Sequence, residues 1–266
     1  MTPTNELEDR TPPRTRRPLV VVAILAVVAV AAVAVAYLSF FNDDAPDRLT
    51  LSDQAATPTV PSTATATATA PAPGAGVASP TIAPATSDLV GTWRVAAGSE
   101  AGYRVREKLA ALPAKSDAVG RSPAVTGSVK VDRAGALTAT DATFEVDLTK
   151  LTSDESRRDN RIRTDGLQTN QFPKATFVAT RPIQLPAETA SGQAVKASAE
   201  GDLTLHGVTK RVTIPLDVRV TGGKGELAGS LGFPMSDFDI TPPSIGGFVT
   251  VDPDATLEFR LLLEKA

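Results

Sequence analysis

Few side chains in this sequence are able to carry chemistry. One histidine, His206, stands in a chain of 266 residues that contains no cysteine. Without cysteine there is no thiol nucleophile, no disulfide framework, no thiolate zinc site and no lipid-bearing cysteine for a lipoprotein anchor. A single imidazole leaves no histidine cluster for a metal, and neither a metal nor a cofactor is expected. As a general base, His206 needs a nucleophilic hydroxyl and an orienting carboxylate, and no nearby motif offers a nucleophile elbow. Its place before Gly207 at a hairpin favours a structural part, with the ring pinning the turn. A hydrolase dependent on His206 is the least favoured function. The other reactive pair is Arg158 with Asp159. Arginine suits a phosphate head group, but an ion pair or a cap that fixes a helical insertion needs the same two residues, and that reading is preferred. The arginines from Arg157 to Arg163 are offset by neighbouring acids and read as a solvated face.

The elements that must position these residues occupy only part of the chain. Residues 1–17 form a short polar tail ending in Arg10, Arg14, Arg16 and Arg17. Residues 18–41 carry no charge and are mostly Val, Ala, Leu and Ile, long enough for the about 20 residues a bilayer-spanning helix requires. Arginines before the run and Asp43, Asp44 and Asp47 after it place the N-terminus in the cytoplasm and the rest of the chain outside. The run exceeds the about 7–15 apolar residues of a cleaved signal peptide. The expectation is a retained, single-pass anchor in the cell membrane with an extracytoplasmic C-terminal domain. Residues 42–87 are dominated by Ala, Thr and Pro, lack the large apolar groups that offset ordering entropy, and read as a disordered linker holding the domain off the membrane.

The folded domain is then 88–266, with 22 basic and 23 acidic residues. So even a balance argues against a nucleic-acid partner, which calls for a basic surface. Apolar residues alternate with polar ones: Val125-Gly127-Val129-Val131, Phe144-Val146-Leu148, Ala199-Gly201-Leu203-Leu205, Val212 to Val220, Leu227 to Phe233 and Leu257 to Leu263. Period two with one wet face marks antiparallel strands. Hairpin chemistry sits at Asp132–Gly135, His206-Gly207 and Thr221–Lys224. One helical stretch, Thr152–Asn170, opens with Thr152 as N-cap and Glu155 three residues on. With Ile162 the one apolar residue among its charges, it reads as a short insertion between strands. The pattern predicts an all-β barrel or sandwich, with Phe144, Phe177, Leu203, Leu205, Phe233 and Phe259 in the core and Tyr103 and Trp93 inside or at the rim.

Two blocks of residues narrow this further. Arg158, Asp159, Ile162 and Arg163 lead to Phe172, Pro173, Ala175 and Phe177, and Gly201-Asp-Leu-Thr-Leu-His-Gly-Val-Thr-Lys210 follows. In order and spacing they resemble the two signature blocks of the YceI-like family, and Trp93, Phe238 and Gly246-Gly247-Phe248 fit some of its members. Leu167–Gln171 replaces the family's usual aromatic-aspartate run. The resemblance implies a lipocalin-like, eight-stranded antiparallel barrel with a short helical insertion, holding an apolar isoprenoid or quinone-like chain. It makes Tyr103, Phe144, Phe177, Leu203, Leu205, Phe233 and Phe259 candidate ligand contacts. Trp93, Arg158, Asp159, Phe172, Pro173, His206 and Gly207 become structural motif positions. Small residues such as Ala199, Gly201, Ala228 or Gly229 would leave room for the ligand, so Gly201→Leu would fill the lumen. The expected function is a membrane-tethered lipid-binding protein without enzymatic activity. The alternative is a cell-envelope stress or interaction module that uses the barrel as a scaffold.

Overall fold

A computed structural model describes residues 45–52, 89–109, 115–245 and 249–266. The tail 1–17, the anchor 18–41 and linker residues 53–87 lie outside the described residues. Among those described, no helix is long and apolar enough to cross a membrane.

The strands run β1 (Gly91–Val95), β2 (Glu100–Leu109), β3 (Lys115–Ser122), β4 (Val125–Ala134), β5 (Ala136–Asp147), β6 (Lys174–Ala179), β7 (Ile183–Leu185), β8 (Val195–Leu205), β9 (Val208–Thr221), β10 (Lys224–Pro234), β11 (Ser244–Ile245) and β12 (Val249–Lys265). Neighbours pair in the order β1-β4-β5-β6-β8-β9-β10-β12, and β1 also pairs with β12 through Trp93 opposite Lys265 and Val95 opposite Leu263. That second pairing closes an eight-stranded antiparallel ring, which leaves none of its strands with a free edge. β12 is long enough to serve two partners: its C-terminal end joins β1, while residues 249–260 pair with β2, which carries β3 outward as a hairpin.

The alternation works as the residues demand. On β8, Ala199, Gly201, Leu203 and Leu205 are all buried, facing a core that also takes Val129, Val131, Ile214, Leu216 and Leu261. The turns fit their chemistry too. His206 and Gly207 have φ of 51° and 77°, and Gly222 and Gly223 have 58° and 76°, the double left-handed pattern of a two-residue hairpin turn.

Three expectations need correction. The helix is shorter than 152–170: α1 covers Ser156–Arg161 and continues into a wider π turn over Ile162–Gly166. Its N-cap is Glu155, whose carboxylate accepts from the Arg157 N–H. Thr152 instead makes a β-bridge with Arg121, so a strand claims the residue that local capping chemistry pointed to. Leu148, expected to end a strand, opens a 3-10 turn over Leu148–Lys150.

The third concerns the linker. Residues 45–52 are not a free stalk but lie across the outer wall of the barrel. The Arg104 guanidinium donates to the Pro46 carbonyl at 2.6 Å, and Arg121 donates to the Asp47 carbonyl. Ser52 donates through its N–H and hydroxyl to the Glu226 carboxylate at 2.7 and 2.9 Å. Arg219 donates to the Ser52 carbonyl at 2.7 Å, and Leu49 in the middle of the crossing is buried. Composition missed this because the contacts come mostly from strand side chains reaching for the linker's backbone.

Candidate functional site

Two cavities open inside the ring, of about 140 and 120 Å³. Ala101, Val146, Ala175 and Leu257 border both, so the two adjoin. The first is walled by apolar side chains that include Phe144, Phe177, Leu203 and Phe259. Trp93 also lines it, with its indole N–H held by the Leu89 carbonyl at 2.9 Å. The second is lined by Tyr103, Leu205 and Phe233, with Ile162 and Leu167 from the helical insertion. Every side chain expected to meet an apolar ligand therefore stands on a lumen wall, four in one cavity and three in the other.

The small residues act differently from expectation. A Cβ on Gly201 would sit 2.4 Å from the Phe177 ring and 2.5 Å from the Val178 carbonyl oxygen. On Gly229 it would meet the Phe259 ring at 2.6 Å. Gly127 and Gly120 likewise lie under the rings of Phe144 and Tyr103. These glycines do not leave empty space. They let four aromatic rings lie down against the neighbouring strand, and the lumen is what remains above the rings. Gly201→Leu would strike backbone as well as ring, so it breaks the wall rather than filling the cavity. Ala228 is buried at 2% exposure, but it alternates with Leu227 and Gly229, and so sits on the outer face.

The second cavity has a polar corner. The Tyr103 hydroxyl is buried and has no hydrogen-bond partner among the described residues. Burial pushes its phenol well above the ordinary range, outweighing the opposite pull of Arg158. Arg158, reaching from α1, is committed elsewhere: its Nε and Nη2 donate to the two carboxylate oxygens of Glu107 at 3.2 Å each, and its Nη1 to Asp154. Burial works against its charge, yet those carboxylates hold it above its usual value. Asp159 accepts from the Ser153 N–H and hydroxyl at 2.9 and 2.7 Å and so fastens the start of the insertion. Glu107 was missed in the sequence, although the step Tyr103-Val105-Glu107 places it on the same face of β2.

His206 lies at the turn between β8 and β9. Its Nδ1 is 3.1 Å from the Phe238 carbonyl, and its ring meets Phe172 edge to face at 4.6 Å. Nε2 is buried and has no partner among the described residues, and no hydroxyl or carboxylate is hydrogen-bonded to the ring. Gly207 passes close to Phe172, where a Cβ would stand 2.6 Å from the ring. The Pro173 carbonyl accepts from the Leu148 N–H at 2.8 Å. Together these residues pack one turn against the insertion's exit. Among the described residues no acid or histidine cluster able to hold a metal is found.

Residues 93–263 match the YceI-like domain family. A UPF0312 protein of Vibrio parahaemolyticus is 36% identical over 120 residues, covering 42% of this chain and 59% of its own length. Another, from Vibrio vulnificus, is 32% identical over 146 residues, covering 52% of this chain and 72% of that protein. Among solved structures, a polyisoprenoid binding domain from Saccharophagus degradans, implicated in plant cell wall breakdown, superposes with a TM-score of 0.50 at 15% identity. It covers 66% of this chain and 99% of that one, which is a likeness of fold.

Proposed function

The chain belongs to the YceI-like domain family, and on that premise we propose that its barrel binds a long apolar lipid of isoprenoid type within the lumen and catalyses no reaction. The observation that carries this is the lumen itself: two adjoining cavities walled by aromatic and aliphatic side chains, with one phenol at one end that has no partner among the described residues. Each buried CH₂ of such a chain gains ~0.8 kcal/mol. The likeness of fold to a polyisoprenoid binding domain supports the same ligand class.

The polar corner argues for the kind of head group. Arg158 is answered by Glu107 and Asp154, and Asp159 stands on the same insertion. Arg161, which also lines this cavity, is paired with Asp165, so both lining cations are already met by carboxylates, which disfavours a phosphate or diphosphate. The Tyr103 hydroxyl offers one donor and one acceptor to an uncharged group, such as a quinone carbonyl or an alcohol. The ligand then lies with its head beside Tyr103 and its tail among Phe144, Phe177 and Phe259. In this reading residues 18–41 anchor the protein in the cell membrane, with the barrel on the extracytoplasmic side.

Mass spectrometry of lipid extracted from the purified full-length protein tests the proposal. A polyprenyl alcohol or quinone recovered in stoichiometric amount is the expected result. A polyprenyl diphosphate would overturn the head-group assignment, and a repeatedly empty lumen would overturn the ligand class.

A further inference from the structure

The crossing of residues 45–52 has a chemistry of its own. It spans the outer faces of five consecutive strands, from β3 and β2 over β12 to β10 and β9. At its start, two arginines take two successive backbone carbonyls, those of Pro46 and Asp47. In the middle, Leu49 is buried. At its end, the Glu226 carboxylate and the Arg219 guanidinium take the N–H, hydroxyl and carbonyl of Ser52. All of these bonds come from wall side chains, and none is a strand-to-strand ladder.

The charged groups of the wall also pair among themselves. Glu258, only 1% exposed, lies between Arg104 and Arg121 at 3.4 and 3.3 Å, and Arg104 also reaches Asp117 at 3.2 Å. Glu226 is paired with Arg219 across β9 and β10. These groups alternate with the lumen residues on the same strands, so they face outward. If the segment leaves, they remain paired with one another and gain water. Removing the segment takes away its own bonds but leaves the ion pairs of Glu258 with Arg104 and Arg121, and of Glu226 with Arg219, intact.

We propose that this wall is a peptide-docking site and that residues 45–52 are its exchangeable occupant, an intramolecular latch that sets the length of free chain before the barrel. Docked, the chain is fastened to the wall at Pro46. Once it is released, the next described residue before the ring is Leu89, 43 residues beyond Pro46. The latch reads a spacing: two adjacent carbonyls, a leucine two residues on, and a serine three residues after that.

The absence of cysteine makes the test direct. A spin label at Thr50→Cys, an exposed position, reports the segment in the full-length protein, and tryptic cleavage after Arg48 reports it independently. The label is expected to be immobilised in the otherwise unaltered chain. Adding Leu49→Ser or Ser52→Pro should make it mobile and speed cleavage after Arg48 roughly tenfold or more. Neither substitution touches a strand, and retention of lumen lipid should not change, which separates failure here from failure of the lipid reading. Excess synthetic peptide with the sequence of residues 45–52 should also free the label. A label already mobile in the unaltered chain overturns the docking. One that stays immobile under excess peptide overturns the exchange, and a dimer held by swapped segments overturns the intramolecular arrangement.

Discussion

A phenol buried in an apolar wall with nothing to bond costs about 1–3 kcal/mol, and Tyr103 is held in that way. The cost has a use if a ligand supplies the missing partner. Tyr103→Phe keeps the ring over Gly120 and removes only the hydroxyl. Thermal unfolding of the ligand-free variant should therefore occur at the same temperature or higher. Its affinity for a polyprenyl alcohol or quinone, followed by fluorescence titration, should fall about five- to tenfold, the worth of one hydrogen bond. Unchanged affinity would remove Tyr103 from the site. The glycines beneath the rings make an opposite case. Gly229→Ala puts a methyl 2.6 Å from the Phe259 ring and 2.9 Å from the Pro215 carbonyl oxygen. Overpacking of this kind costs about 1–3 kcal/mol, which urea unfolding would read, and the displaced ring should narrow the first cavity. Alternation could place Gly127, Gly201 and Gly229 inward, though not Gly120. It could not show that each one is covered by an aromatic side chain, because that depends on how neighbouring strands align in register.

Among the elements, the outer wall of β2, β3 and β12 carries a charge that the lumen does not need. Glu258 is almost wholly buried between two arginines. Removing one partner of a buried ion pair strands the other, at about 3–5 kcal/mol. Glu258→Ala should lower the stability measured in urea by about 3 kcal/mol, since Asp117 still answers part of Arg104. On β10, burial pushes the Glu226 carboxyl up, but the hydrogen bonds from Ser52 and Arg219 outweigh it and hold the group below its ordinary 4.5. A depressed carboxylate stabilises the docked segment above pH 4.5, and that contribution is lost as pH falls through its lowered value. Arg219 faces it from β9 and Ser52 from the crossing segment, while β12 presents Leu262 opposite. The label at position 50 should accordingly loosen in acid, and Glu226→Gln should abolish that part of the pH response. The helical insertion shows the limit of local signals. Thr152 and Glu155 have the spacing of a capping box, yet Thr152 is held by Arg121 of β3, a partner far away in sequence that no local pattern announces.

At the scale of the molecule, alternation made most of the ring legible, because a strand with one buried face must alternate and β4, β5, β8, β9, β10 and β12 all do. β1 is only five residues long, and β3 is rich in polar and small residues, so neither offers a strong period. Yet β1 is the strand that shuts the barrel. Its partners are β4, which follows it in the chain, and the far end of β12, with Trp93 opposite both Val129 and Lys265. Closure therefore joins segments separated by nearly the whole domain, the kind of contact that makes folding slow. A ribosome that has released the chain only as far as β10 has delivered every lumen-lining aromatic except Phe259, but no container. Until residues as far as 265 are free, the barrel is an open sheet whose greasy face has nothing to close over. An apolar ligand can then be enclosed only once residue 265 is free to pair with Trp93, so the last strand of the ring sets the moment at which the lumen exists.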